Sequence, residues 1–209
     1  MVDRPIIFSA PMVRALLDRR KTMTRRLVKR GPVRIWLDSG FTHGFINDPG
    51  NASVLPYQSG DRLWVREAHA ILPRTAYRAS IGTGTIDQME HPTDGYSAAV
   101  FREGFDRSGR PLWKPSIHMP RWASRLTLTV TAVRVEPLQS ISLADIEAEG
   151  AIPPGPCVPA GDALPIWIAL WDSLHGDGAW DANPDVVAIS FRVERRNIDA
   201  PRLPPPGED

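Results

Sequence analysis

In "DRRKTMTRR", residues 18–26, Lys21 and Thr24 stand three apart among five positive charges. A lysine amine can take the proton of a threonine hydroxyl and turn it into a nucleophile for an acyl carbon, provided that burial leaves some of the amine neutral. Helical spacing would bring the two Cβ atoms to about 5–6 Å. If the chain has already turned into a strand, their proximity depends on the turn. The same residues suit a plainer task, because cations are favoured at the C-terminus of a helix. A second stretch, "EAEG", places Glu147 and Glu149 near the end of another helical pattern, where carboxylates oppose the helix dipole. The third, "LWKPSIHMPRWASR" (residues 112–125), interleaves Trp113 and Trp122 with Lys114, His118, Arg121 and Arg125. Aromatic planes beside cations suit stacking on a nucleobase and neutralising phosphate. They suit equally a loop that folds its tryptophans onto a core.

Other chemistries find little support. The five histidines show no H-x-x-x-H or H-E-x-x-H spacing, and the single Cys157 excludes an internal disulfide and a cysteine metal cluster. No G-x-G-x-x-G or G-x-x-x-x-G-K-[ST] fingerprint occurs, which argues against Rossmann and P-loop sites. Neither a metal nor a cofactor is expected. A formal net charge of +1 leaves any nucleic-acid contact to a local patch, and mildly favours a small substrate over a polymer.

Several elements must position these residues. "RPIIFSA" reads as a buried strand, and "PMVRALLDRR" as a helix that starts at Pro11 and stops near Arg20 to Thr22. Residues 30–60, rich in Gly, Pro, Asn, Asp and Ser, read as a loop or irregular hairpin. "GDRLWVREAHAI" alternates like a strand, Tyr77 to Ser80 suits a further short one, residues 81–97 read as a loop, and "AAVFREG" as an edge strand. In "RLTLTVTAVRVEPL", Leu126, Leu128, Val130, Ala132 and Arg134 alternate with Thr127, Thr129, Thr131, Val133 and Val135. "ISLADIEAEGA" is a capped helix, with Ser142 as N-cap, Asp145 three residues on and Gly150 as terminator. "PCVPAGDALP" reads as a loop, "IWIALWDSLHG" as a helix and "DVVAISFRVERR" as a last strand. Scattered strands with three short helices, and no regular βαβ alternation, point to α+β with a small twisted barrel.

The hydrophobic share of 42% supports a folded chain of 209 residues, and 21 prolines favour many rigid turns. No signal-peptide pattern and no stretch of roughly 18 apolar residues is present, so a cytoplasmic protein without membrane contact is expected.

Taken together, "RRKTMTRR", "GDRLWVRE", "WKPSIHMPRW" and "EAEG" resemble the ASCH domain of the PUA-like superfamily, and among its members the longer phage and prophage proteins. The family pattern is G-x-K-x-x-T-x-R-like. Arg19 stands in its glycine position, and Lys21, Thr24 and Arg26 match. The resemblance implies a single ASCH domain over residues 4–195. It would be a small PUA-like β-barrel flanked by short helices, with loop elaborations and a disordered tail over 196–209. At the points that matter the chain is similar to the small N4-acetylcytidine amidohydrolases. That implies catalysis by Lys21, Thr24 and Glu149, with Glu147 as the competing carboxylate. It also implies substrate binding by Arg25, Arg26, Glu67, Trp113, His118 and Trp122. The implied partner is a modified pyrimidine nucleobase or nucleoside, with RNA as a further one. A non-catalytic RNA- or modified-nucleic-acid-binding module and a ribonuclease remain as alternatives in the same cleft.

Overall fold

The computed structural model describes residues 1–77, 86–152 and 160–201. Its strands are β1 (Asp3–Ile7), β2 (Met23–Leu27), β3 (Arg62–Arg66), β4 (His69–Pro73), β5 (Gln88–Glu90), β6 (Ser97–Phe101), β7 (Thr127–Pro137) and β8 (Asp185–Glu194). Its α-helices are α1 (Ala10–Leu17), α2 (Pro32–Asp38), α3 (His43–Ile46), α4 (Leu143–Ala148) and α5 (Ala160–His175). The fold is mixed α+β. A five-stranded sheet has the order β1-β3-β7-β8-β2, and a three-stranded sheet the order β4-β6-β5. A closed barrel is not detected among the described strands. No described helix is long and apolar enough to cross a membrane.

The chain divides into two compact units. The first comprises Met1–Val2, Pro11–Arg62 and Leu128–Val193. In it α1 buries Val13, Ala15 and Leu16, of which Val13 and Leu16, three apart, share a helical face. β2 runs antiparallel to β8, with Thr24 opposite Ile189, Arg26 opposite Val187 and Leu27 opposite Val186. Leu27 and Val186 pack with Leu138, Ile146, Trp167 and Trp171. Because side chains alternate along a strand, Met23, Arg25 and Leu27 therefore face α4 and α5. Thr24 and Arg26 share the opposite face.

Helix α1 ends at Leu17, sooner than its sequence pattern predicts. The Arg20 N–H donates to the Ala15 carbonyl at 2.9 Å and the Arg19 N–H to the Leu16 carbonyl at 3.0 Å. This is the paired bonding of a Schellman cap, with Arg19 left-handed at φ 59°. A glycine takes that conformation without a Cβ penalty. Arg19→Gly is thus expected to stabilise the protein by about 0.5–1 kcal/mol, the relief of strain less the added entropy of an unfolded glycine. Urea denaturation checks this, and a loss of stability would contradict it.

Residues 30–60 differ from the expected loop or hairpin. They hold α2, α3 and a 3₁₀ turn over Pro49–Val54. Their Gly, Pro, Thr and Asp are helix-start residues rather than hairpin turns. Pro32 sits in the first turn of α2, the Thr42 hydroxyl accepts from the Phe45 N–H, and Asp48 accepts from the Gly50 N–H. In α4 the expected capping box is present, between Ser142 and Asp145. Helix α5 begins at Ala160, so it includes Pro165 and part of the expected loop. In β7 the two-residue alternation holds through Leu128 and Val130, then fails. Thr131 and Ala132 are both exposed and Val135 is buried.

The second unit comprises Asp3–Ala10, Leu63–Thr127 and Glu194 onward. "AAVFREG" was expected at an edge, yet β6 is the central strand of its sheet, with Ala98 to Phe101 buried. Four consecutive apolar residues suit a strand flanked on both sides. β5 lies within the expected loop of residues 81–97. Tyr77 is in a turn, and residues 78–85 lie outside the described ones. From the expected tail, Asn197 and Ile198 are buried. The Asn197 amide donates to the carbonyls of Arg121, Trp122 and Ser124. Residues 202–209 lie outside the described ones.

Candidate active site

Lys21 is placed by backbone contacts at the ends of two helices. Its N–H donates to the Ala15 carbonyl of α1 at 3.0 Å, and the next N–H, of Thr22, donates to the Ala148 carbonyl of α4 at 2.8 Å. The chain therefore crosses from one helix end to the other just before β2 begins. At that crossing Gly150, with φ 68°, presses against it. A Cβ on Gly150 would lie 2.9 Å from the Lys21 Cβ and 2.8 Å from the Ala15 Cβ.

Lys21 is 1% exposed. Its Nζ donates to the Glu149 carbonyl at 2.7 Å and to the Glu149 Oε2 at 2.8 Å. Lys21 does serve at a helix C-terminus, but that of α4, 128 residues away, not α1. This contact also resolves the poor electrostatics of a carboxylate at a helix end, since Glu149 is the C-terminal cap of α4 and its charge is met by a cation. Glu147, the competing carboxylate, is exposed. Burial pushes the Lys21 ammonium below its usual range, although Glu149 acts to raise it.

Behind the pair stands Arg25, whose side chain is fully buried. Its Nε and Nη2 donate to Glu136 Oε1 at 3.1 and 2.6 Å. Nη2 also donates to Asp145 at 2.8 Å, and Nη1 to Met23 Sδ at 3.3 Å and Glu149 Oε1 at 3.4 Å. All three nitrogens are thus engaged within the protein. Arg25 braces Glu149 from behind, where the sequence expectation is a substrate contact. Arg134 closes the network by donating to Glu136 and Asp145 at 2.6 and 2.7 Å. Burial alone would raise the Asp145 carboxyl, but hydrogen bonding and charge from Arg25 hold it below its usual range. The i,i+3 capping box made Asp145 legible as a cap. Its second partner, Arg25, is 120 residues distant and left no sequence signal.

Thr24 is buried at 5% exposure, on the β2 face away from Arg25. Arg26 shares that face and is half-buried. Burial lowers its guanidinium, while Tyr57 and Glu149 act in the opposite direction. Arg26 and Tyr57 both line a cavity of about 200 Å³.

The remaining expected site residues belong to the second unit. Glu67 is buried and takes a bidentate contact from Arg125, at 2.9 and 2.8 Å. Burial pushes the Glu67 carboxyl up despite that contact. Arg125 also lies over the Phe101 ring, 4.1 Å from its centre, so the pair anchors the small sheet. Trp122 packs on the cluster of Ala99, Phe101, Met119 and Ala123, and meets His91 edge-on. It follows the core-packing reading of its loop. Trp113 meets Phe105 edge-on at 5.2 Å, and His118 is exposed.

No family model, curated protein or solved structure matches the chain.

Proposed function

We propose that the protein is a hydrolase for the amide of an N4-acylated cytosine, as base, nucleoside or nucleotide, on a PUA-like ASCH scaffold. The observation that carries this reading is the buried Lys21–Glu149 pair, three residues from the buried hydroxyl of Thr24. Burial that lowers the proton affinity of Lys21 favours its neutral amine, the form that can act as a general base. A surface lysine at a helix end would need no such burial.

The Thr24 Oγ attacks the acyl carbon as neutral Lys21 takes its proton. The tetrahedral adduct then expels the exocyclic nitrogen, to which Lys21 returns the proton, leaving a threonine ester and the free amine of cytosine. Lys21 next activates a water, whose attack on the ester releases the carboxylic acid and restores Thr24. Glu149 holds Lys21 in place through both of its oxygen acceptors, carbonyl and carboxylate. Arg25 and its carboxylates keep Glu149 from swinging away.

Incubation with N4-acetylcytidine is expected to release cytidine, and Thr24→Ala to lower the rate by about 10²–10⁴-fold, as for loss of a group in direct contact with the reacting atoms. The rate should rise with pH as Lys21 loses its proton, with an inflection below 10.5, because burial lowers that group. No release of cytidine, or undiminished release by the variant, would sink the reading.

A further inference from the structure

In the second unit, the outer side of the edge strand β4 is held at His69. This residue pairs with Lys114 as an isolated bridge. The Lys114 N–H donates to the His69 carbonyl at 2.7 Å, and the His69 N–H to the Lys114 carbonyl at 3.2 Å. Among the described residues, the backbone of residues 112–118 meets the small sheet at this bridge. The inner side of β4 is far better secured, with five residue pairs to β6 and His69 opposite Phe101.

His69 is fully buried. Its Nδ1 lies 3.2 Å from the Glu67 carbonyl, which can only accept, so the proton of the neutral ring is on Nδ1. Nε2 carries the lone pair, and it is buried without a hydrogen-bond partner among the described residues. A proton arriving there finds no acceptor, and a charge out of water without a partner is costly. Neighbouring groups oppose it further. Lys114 and His118, both exposed, act against a protonated ring from residues 112–118, and Arg66 does so from β3. Glu67 meets the ring with its carbonyl, because Arg125 takes both of its carboxylate oxygens. Phe101, opposite on β6, is uncharged.

We infer that His69 is an acid-sensitive latch, which holds residues 112–118 against β4 while its ring is neutral and releases them when the ring takes a proton. Opening the bridge gives Nε2 access to water, where the charge is solvated. The open form binds the proton at the ordinary histidine value of 6.5. The closed form binds it only at lower pH, since burial and the neighbouring positive charges push the ring down despite the Glu67 carbonyl. Below 6.5 the open form therefore holds more protons, and closure weakens as pH falls. A single proton limits the effect to about 10-fold in the opening equilibrium between pH 7.5 and 5.5. The released segment carries Trp113, Lys114 and His118, so acid changes what this face presents. The latch is independent of the hydrolase reading.

Amide hydrogen exchange followed by NMR tests it. Relative to their intrinsic rates, the His69 and Lys114 amides are expected to exchange about 5–10-fold faster at pH 5.5 than at pH 7.5. The Val100 amide of β6 should keep its protection. His69→Gln removes the titrating group and should make exchange at the bridge independent of pH. Lys114→Glu changes an exposed side chain and keeps the backbone bridge, so it does not threaten folding. Its carboxylate favours a proton on the closed ring, and the acid response should shrink. If His69→Gln fails to fold, Lys114→Glu decides alone. A response of undiminished size in either variant, an equal response at Val100, or no response in the wild type overturns the latch.

Discussion

Replacing Glu149 by alanine is expected to destabilise the protein by about 3–5 kcal/mol, the usual cost of removing one partner from a buried ion pair. Lys21 would stay 1% exposed, still donating to the residue-149 carbonyl but without the carboxylate. Arg25 would lose its weakest contact and keep Glu136 and Asp145, so most of the loss falls on Lys21. Lys21 can respond by shedding its proton, which gives the deficit a pH dependence. Its folded pKa already lies below the unfolded value of 10.5. Between those two values the unfolded chain binds more protons, so stability from this group rises with pH there. Removing Glu149 takes away the charge that raised Lys21. The window then extends to lower pH, and the deficit of the variant narrows as pH rises through the added part. Urea titrations at several pH values measure this. A double variant, Lys21→Met with Glu149→Leu, should recover much of the loss, because a neutral pair removes both buried charges. A single-variant deficit under about 1 kcal/mol would show that the pair is solvated and would remove the basis for a depressed Lys21.

Gly150→Ala is the second large effect, expected to cost about 2–5 kcal/mol. Part is backbone, since a left-handed residue with a Cβ costs about 1–2 kcal/mol. The rest is overpacking, typically about 1–3 kcal/mol, because the new methyl would lie 2.8 Å from the Ala15 Cβ and 2.9 Å from the Lys21 Cβ. Neither neighbour yields easily. Ala15 is fully buried in α1, and the Lys21 Cβ is the root of a side chain held at its far end by Glu149. The substitution should also reduce turnover, since any relief moves Lys21. Gly178→Ala is the control, with φ 76° and open space around it in the same unit. It should bear the backbone cost alone and leave turnover unchanged. Equal losses of stability in the two variants would refute the close-packing argument.

Much of what positions the site was legible in the chain, and it was legible wherever the cause is short-range. The capping box of Ser142 and Asp145 spans three residues, and Gly150 ends α4 for reasons of local backbone geometry. Arg19 takes a glycine-like conformation in the cap of α1. The small helices of residues 32–54 leave no distinct pattern in the chain, because helix starts and tight turns use the same residues and none of these helices is long enough to show a period. The apolar run of β6 has no alternation that an exposed edge would require, in keeping with its central place in the sheet.

Sequence alone determined the mixed α+β class, the strands β7 and β8, the cap of α4 and the candidates Lys21, Thr24 and Glu149. Tertiary structure paired Glu149, and not Glu147, with Lys21. One sits at the helix cap facing Lys21, the other one turn-position away in solvent, and residue type cannot distinguish them. Tertiary structure also made Arg25 a buried brace for Glu149, and gave Gly150 its contact with Lys21. Each of these depends on partners more than 100 residues apart in the chain. Patterning along the chain records which face of an element is buried. It does not record which distant side chain arrives to meet it.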